Sequence, residues 1–264
     1  MLLWKNKHKR KNYWIVRKVF LRLSKEELKE VKLTGWKLRI YYLNLSYMHI
    51  SPSVLSANFG NLNEDLLAIE EYVDRWHIDV MDGVFVPNLS FWYPVIKKLK
   101  TNKPLDIHLM MTRPEIVIEH LGWLKKKWMN IKNISTHVEL WEEHVRDMMH
   151  LTTFFDIEYG VGINPHTDVQ VLEDLVHDVD YVLIMWVVPW FSGQSFMAEV
   201  LEKAKILRSW RPDIELHLDG GVNWETIDAI RPYNFDLLVS GSFVFGAEDR
   251  KKAIDILKGE WLPE

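Results

Sequence analysis

The chain has 264 residues, is 48% hydrophobic and carries a formal net charge of −4, so it can bury one large core. It has no cysteine, which excludes disulfides, thiolate metal sites and a cysteine nucleophile, and this fits a cytoplasmic protein. No apolar run of about 18 residues occurs, and the basic N-terminus lacks an apolar core before a small-residue cleavage site, so we expect neither a membrane span nor a signal peptide.

The charge is unevenly distributed along the chain. Residues 1–47 carry 13 Lys and Arg against 3 Asp and Glu, whereas the remainder carries 20 against 34. A basic segment of this kind is able to bind nucleic acid or an anionic surface. We prefer the interpretation that 1–47 is an extension without a function of its own and need not be native. Nucleic acid and membrane are then not expected as partners, and Met48 is a candidate for the true start.

From residue 48 onward, short apolar runs alternate with longer amphipathic ones. Strands are predicted at 48–54, 76–81, 104–110, 133–138, 157–163, 180–187, 214–218 and 236–240. Helices are predicted at 61–73, 113–127, 139–150, 168–176, 196–209, 224–230 and 248–258, with Pro114 near one start and Asn223 as an N-cap. This alternation predicts an α/β fold, a single (β/α)8 TIM barrel over 48–264. A doubly wound open sheet is the alternative, weakened because no Gly-x-Gly-x-x-Gly follows the first strand.

Four potential metal ligands lie at or near the ends of three predicted strands. His77 and Asp79 are two residues apart, so on a strand they project to the same face. His108 and Asp219 end two further strands. The set suits Zn²⁺, Fe²⁺, Mn²⁺ or Co²⁺ and does not choose among them. The alternative is two core histidines and two capping aspartates, but an aspartate inside a strand, as at 79, is otherwise costly to bury.

Asp79 and Asp219 are also candidates for acid–base catalysis. Two carboxylates on opposite sides of a substrate can act as general base and general acid. A metal between them stabilises a developing enediolate oxygen. This arrangement suits the removal of a proton from one face of a carbon next to a carbonyl and the return of one to the other face, which gives an epimer.

Three successive loops have the small residues that suit phosphate binding. Phe191-Ser192-Gly193-Gln194 follows the sixth strand, Gly220-Gly221 the seventh and Ser240-Gly241-Ser242 the eighth. Small residues let backbone N–H groups approach an anion, and the loops after strands 7 and 8 are the usual phosphate site of a TIM barrel. Plain turn chemistry is the alternative for each loop taken alone.

In combination and in order, these motifs resemble the ribulose-phosphate 3-epimerase family, including its allulose-6-phosphate 3-epimerase branch. The resemblance covers about residues 48–258. It rests on Ile50 to Phe59 (ISPSVLSANF), His77 to Asn88 (HIDVMDGVFVPN), Leu105 to Met110 (LDIHLM), Thr136 to Glu139 (THVE), Gly162 to Pro165 (GINP), Gly193 to Phe196 (GQSF), Asp219 to Asn223 (DGGVN) and Gly241-Ser242.

The resemblance implies roles for individual residues. One divalent metal ion would be bound by His77, Asp79, His108 and Asp219, with Asp79 as proton acceptor and Asp219 as proton donor. Ser53 and His108 would contact the sugar. The remaining implied substrate-binding residues form an apolar wall (Met81, Met110 and Met185) and a phosphate site (Ser192, Gly193, Gly220, Gly221, Gly241 and Ser242).

The chain departs from the family pattern at several positions. Val84 stands where many members have His, and Trp190 and Trp92 stand where the family commonly has Gly. The chain has 13 Trp and only 12 Gly, an odd balance for a barrel that needs glycine turns. We hypothesise that many Trp are glycines encoded by UGA and read under the wrong genetic code, with Trp128 and Trp224 as further candidates. Trp76, inside a strand, is interpreted as genuine; the alternative is a divergent, partly inactivated homologue.

The function expected from the residues and the resemblance is that of an isomerase. The substrate would be a sugar phosphate, D-ribulose 5-phosphate converted to D-xylulose 5-phosphate in the pentose phosphate pathway. D-Allulose 6-phosphate is the alternative substrate, because the sequence does not fix the pocket length. A non-catalytic homologue that binds a phosphate ligand or nucleic acid is the alternative of a different class. Family members commonly self-associate, so a homo-oligomer is a further expectation.

Overall fold

The computed structural model describes residues 48–140, 142–186 and 198–260. The predicted extension over 1–47 lies outside the described residues, so its role and the predicted division at residue 48 stay predictions. The strands are β1 (His49–Ser51), β2 (Trp76–Met81), β3 (Leu105–Met110), β4 (Ile131–His137), β5 (Glu158–Ile163), β6 (Tyr181–Met185), β7 (Glu215–Asp219) and β8 (Leu237–Val239). The helices are α1 (Leu62–Leu67), α2 (Tyr93–Ile96), α3 (Pro114–Lys127), α4 (Glu142–Phe154), α5 (Ala198–Trp210), α6 (Ile227–Ile230), α7 (Ser242–Phe245) and α8 (Arg250–Lys258).

The strands form one parallel sheet in the order β1-β8-β7-β6-β5-β4-β3-β2. The two end strands meet where Ser53 forms a parallel bridge with His77, whose backbone N–H donates to the Pro52 carbonyl at 3.1 Å. The sheet is therefore closed into a barrel, and the prediction of a single (β/α)8 barrel is confirmed. The open-sheet alternative is wrong.

The two faces of the barrel strands differ in chemistry. Outward residues such as Ile78, Ile107 and Leu218 are fully buried with the helices in the main apolar core. Inward residues are mostly polar and also buried, among them Asp106, Asn133, Ser135 and His217 in addition to the predicted ligands. Because alternate residues of a strand face opposite sides, each strand supplies both the apolar layer and the polar interior.

The predicted helices differ from the structure in the second half of the barrel. The segment 168–176 is two 3-10 turns, Val169–Leu172 and Leu175–His177, and the carboxylate of Asp168 accepts from the Gln170 N–H at 3.0 Å. Such side-chain bonds offer the backbone an alternative to a helix. α6 is regular only from Ile227, later than predicted, but Asn223 Oδ1 accepts from the N–H groups of Glu225 and Thr226, which are the bonds expected of the predicted N-cap.

In the first half, the predicted helix over 61–73 ends at Leu67, and 3-10 turns flank it. Pro114 is the first residue of α3, as predicted. The short helices α2 and α7 were not predicted, because four residues are too few to show a helical period. Among the described residues, no helix is long and apolar enough to cross a membrane.

Candidate metal and acid–base site

The four predicted ligands come from three strands whose carboxyl ends meet at one mouth of the barrel. His77 and Asp79 alternate along β2 and share its inward face. Asp79 lies opposite His108 in the β2–β3 register, and Asp219 ends β7. All four side chains are buried.

The potential ligand atoms of these residues are evenly spaced. Asp79 Oδ1 lies 3.3 Å from His77 Nε2 and 3.2 Å from His108 Nδ1. Asp219 Oδ2 lies 3.6 Å and 3.4 Å from the same two nitrogens. Neighbouring ligands of an ion held at about 2.0–2.2 Å are separated by about 3 Å or slightly more, which these four distances match, and all four ligand atoms lie within 4.8 Å of one another.

One of the potential ligand atoms, buried His77 Nε2, is left without a hydrogen-bond partner among the described residues. The other nitrogen of this imidazole, Nδ1, lies 2.9 Å from Asp106 Oδ2. A carboxylate on the far nitrogen is the usual way in which proteins orient a metal-binding histidine. The chemistry of the donor set and this orphaned nitrogen fit a divalent cation, so the buried cluster could hold a metal ion.

Burial and charge act in opposite directions on the pKa values of the cluster. Burial lowers the pKa of His77, but the charges of Asp79, Asp106 and Asp219 raise it well above its ordinary value. Burial raises the pKa of Asp79, but the charge of His77, 3.3 Å away, and the hydrogen bond from His108 hold it well below its usual range. Without a metal ion, the pocket therefore favours protonated histidines, and cation binding must displace those protons.

Asp219 has the same surroundings with one addition. Burial raises its pKa, the charge of His77 and the close approach of both histidines lower it, and the charge of Asp79 acts to raise it again. The net shift is downward. The repulsion between Asp79 and Asp219 is thus outweighed by the attraction of the two histidines.

Ser53 lies against the acid–base pair. Its hydroxyl donates to Asp79 Oδ2 at 2.5 Å, and its Oγ also accepts from the Leu55 N–H at 3.3 Å. The predicted sugar contact of Ser53 thus has a protein partner in this structure, and the hydroxyl orients the carboxylate to which it is bonded.

The three predicted methionines line the same interior. Met81 and Met110 are paired in the β2–β3 register and pack with Val86, and Met185 lies opposite Asp219 in the β6–β7 register. All three are buried. They surround the polar cluster with soft, apolar side chains.

A separate cavity of about 300 Å³ lies in the loops after β7 and β8. Gly220 and Gly221 have φ values of +95° and +64°, a conformation that glycine adopts without strain. A Cβ at Gly241 would lie 2.5 Å from Ser56 Oγ, so a side chain at this position would force the Ser56 hydroxyl to move. The cavity is lined by Gly221, Val222, Asn223, Trp224, Gly241, Ser242 and Phe243.

Several predicted residues lie outside the described residues, and others were missed. Ser192, Gly193 and Trp190 belong to the segment 187–197, which the structure does not describe. Asp106 and His137 were not singled out as contacts of the ligands. The signal was available for Asp106, because it is two residues before His108 and so faces the same side of β3.

Comparisons with known proteins agree with this geometry. The model of the ribulose-phosphate 3-epimerase family matches residues 49–245. Ribulose-phosphate 3-epimerase of Bacillus subtilis is 38% identical over 218 residues, covering 80% of this chain and 98% of its own length. The enzyme of Helicobacter pylori strain J99 is 37% identical, covering 82% and 99%. The cytoplasmic isoform of Oryza sativa is 34% identical, covering 79% and 92%.

Solved structures agree on the fold. A 3-keto-L-gulonate-6-phosphate decarboxylase from Vibrio cholerae is similar with a TM-score of 0.61 at 15% identity, over 82% of this chain and all of that one. The tryptophan synthase A-subunit of Pyrococcus furiosus gives 0.62 at 13% identity, over 81% and 98%. At such identities the likeness concerns the barrel alone.

Proposed function

This chain belongs to the ribulose-phosphate 3-epimerase family, and we propose that it interconverts D-ribulose 5-phosphate and D-xylulose 5-phosphate. It is then an isomerase of the pentose phosphate pathway acting in the cytoplasm. The family membership supports an epimerase, and the names of the curated relatives support the five-carbon substrate.

The observation that carries the proposal is the pair of buried carboxylates, Asp79 and Asp219, around two histidines. Asp79 accepts the proton from C3 of the ribulose ester, and Asp219, protonated beforehand, donates a proton to the opposite face. The roles exchange in the reverse direction. Each turnover leaves Asp79 protonated and Asp219 ionised, so the pair returns to its starting state by exchange with solvent or by the reverse reaction.

The remaining polar groups orient these two carboxylates. Ser53 bonds the Asp79 oxygen that does not face the histidines, which directs one lone pair of the base. His77, Asp79, His108 and Asp219 would hold the divalent ion, which supplies positive charge beside the substrate oxygens when bound. Met81, Met110 and Met185 keep water away from the carbon that loses its proton.

The cavity between the loops after β7 and β8 is proposed to hold the phosphate. Gly221, Gly241 and Ser242 bring backbone to its surface without large side chains. In TIM barrels this region is the frequent phosphate site. Ser192 and Gly193 are proposed to close it from the segment that follows β6.

The test of the proposal is solvent exchange at C3. Asp79→Asn is expected to abolish the exchange of the C3 proton of ribulose 5-phosphate while the sugar still binds, measured by NMR in D2O and by a binding titration. Asp82→Asn is the matched control, since Asp82 follows the same strand outside the cluster and bonds only loop groups. Rapid exchange in Asp79→Asn would refute the assigned base.

Activity on two substrates tests the substrate assignment. We expect a higher kcat/KM for ribulose 5-phosphate than for allulose 6-phosphate, and the reverse ranking would assign the six-carbon sugar instead. Absence of turnover on both, with retained binding, would indicate the non-catalytic homologue. Gel filtration with light scattering checks the expected homo-oligomer in the same preparation.

A further inference from the structure

His108 also belongs to a line of hydrogen-bonded side chains that leads away from the metal cluster. Its Nε2 lies 2.8 Å from His137 Nε2, and His137 Nδ1 lies 3.0 Å from Glu139 Oε2. The rings of the two histidines are stacked with their centroids 5.0 Å apart. Three side chains from two neighbouring strands and the turn after β4 thus form one hydrogen-bonded line.

Only one arrangement of protons satisfies this line when His108 offers Nδ1 to a cation. His108 Nε2 must then carry the hydrogen and donate it to His137 Nε2. His137 must therefore carry its hydrogen on Nδ1 and donate it to Glu139, which as a carboxylate only accepts. We propose that His137 and Glu139 are positioning residues that fix His108 in the tautomer whose Nδ1 lone pair faces the ligand cluster.

The outer end of the line is held rigidly. Glu139 Oε1 accepts from the Asn164 N–H at 2.9 Å and from the Thr167 hydroxyl at 2.5 Å. These two donors fix the carboxylate so that Oε2, which has no hydrogen to donate, faces His137. Lys203 donates to the carbonyls of Asn164, Pro165 and Thr167 at 2.7–2.9 Å and fixes that loop.

The space around His137 also prevents rearrangement. Its side chain is fully buried, the Phe85 ring lies 5.0 Å away, and a Cβ on Gly162 would approach its imidazole to 3.4 Å. The imidazole is therefore packed between Phe85 and the backbone of β5, which favours the orientation that its two hydrogen bonds select. His77 is oriented by a single residue in place of two, since the Asp106 carboxylate lies directly on its Nδ1.

Two variants test the direction of the hydrogen bonds. In Glu139→Gln the amide oxygen accepts from Asn164 and Thr167, so the amide NH2 group faces the N–H donor of His137. His137→Phe removes the acceptor of His108 while keeping a planar ring. Each is expected to weaken Co²⁺ binding to the metal-free protein by about 10- to 100-fold and to change the visible spectrum of bound Co²⁺. His137→Gln restores an acceptor and is expected to recover about tenfold over His137→Phe.

Glu119→Gln is the matched control, because it makes the same carboxylate-to-amide change at an exposed residue of α3 that takes no part in the line. It should bind Co²⁺ as the wild type does. If His137→Phe does not fold, as judged by circular dichroism and thermal unfolding, Glu139→Gln carries the test. Unchanged Co²⁺ affinity in a folded Glu139→Gln overturns the positioning role.

The inference rests on the proposed metal site, and the same titration separates the two failures. A wild-type protein that binds no Co²⁺ overturns both the site and its positioning residues. A wild type that binds Co²⁺, with variants that bind it equally well, overturns only the roles of His137 and Glu139.

Discussion

The two parts of the proposed substrate site, the metal cluster (the metal end) and the cavity proposed for phosphate (the phosphate end), are built from different parts of the chain. At the metal end, side chains on β2, β3 and β7 converge inside the barrel, and all of them are buried. At the phosphate end, glycines and a serine in the loops after β7 and β8 bring backbone to a cavity that is open to solvent. The metal end is therefore defined by side-chain identity, and the phosphate end by backbone conformation.

This difference sets how each end tolerates change. A buried carboxylate has no substitute of equal charge and length, and its loss leaves the two histidines with one carboxylate between them in place of two. A loop glycine can often be replaced at the cost of backbone strain, which affects affinity before chemistry. We therefore expect kcat effects at the metal end and KM effects at the phosphate end.

Asp219→Asn should give the largest effect. The variant retains Asp79, so it should still exchange the C3 proton of ribulose 5-phosphate with D2O but should lose conversion to the xylulose ester. Loss of one acid–base group reduces kcat by about 10²–10⁴-fold. NMR of both epimers in D2O measures exchange and conversion in one sample.

Xylulose 5-phosphate provides the internal control for this variant. Its C3 proton is removed by Asp219, so exchange from this epimer should disappear while exchange from the ribulose ester persists. Loss of exchange from both epimers would contradict the assignment of one carboxylate to each face of the sugar.

Gly221→Ala should produce a smaller effect on affinity alone. Its φ of +64° costs a residue with a Cβ about 1–2 kcal/mol, and a shifted turn would disturb the cavity wall. A loss of about 1.4 kcal/mol in binding raises KM about tenfold, and kcat should stay within about twofold.

Gly83→Ala is the matched control for the glycine variant, because φ at Gly83 is +74° and the residue does not line the cavity. It should cost similar stability in a thermal melt and leave KM unchanged. An equal rise in KM for both variants would show that general loosening of the barrel, not the phosphate end, causes the effect.

The metal end was readable from the sequence because a strand has a strict period of two. His77 and Asp79 must share a face, and the interior face of a closed barrel brings them toward β3 and β7. The eight strands are also predicted from local sequence, because each is an apolar run of the right length between turn residues. The bounds of β1 are the least accurate, since the predicted 48–54 contains a strand of only three residues, His49–Ser51. β4 begins two residues before its predicted start, because Lys132 interrupts the apolar run at Ile131.

Contacts between distant side chains could not be read in this way. The line from His108 through His137 to Glu139 depends on the side-chain geometry of β3 and β4 and on a loop fixed by Lys203, and no local pattern encodes it. The 3-10 turns after Asp168 were missed because apolar spacing favoured a helix, while the side-chain cap favoured a turn. The sequence shows Trp224 only as a tryptophan at a predicted helix start, and the fold places it on the cavity wall.

The smallest expected effect concerns Trp224, which lies on the cavity wall with 62% of its surface exposed. Trp92 and Trp128 are also exposed, whereas Trp76 is fully buried and its Nε1 donates to Thr101 Oγ1 at 3.0 Å. The hypothesis that UGA codons here specify glycine predicts glycine at 92 and 190 in native peptides, with Trp retained at 76.

Mass spectrometry of the native protein checks that hypothesis, and Trp at 92 and 190 would contradict it. In the recombinant chain, Trp224→Gly removes an indole from the cavity wall and should lower KM by about threefold, less than the tenfold change that 1.4 kcal/mol represents. Trp76→Ala is the contrasting variant: loss of a buried Trp side chain should cost about 3–5 kcal/mol in unfolding free energy. Because Trp76 lies in the apolar core and Trp224 on the wall of the cavity proposed for phosphate, the two variants separate a loss of stability from easier substrate entry.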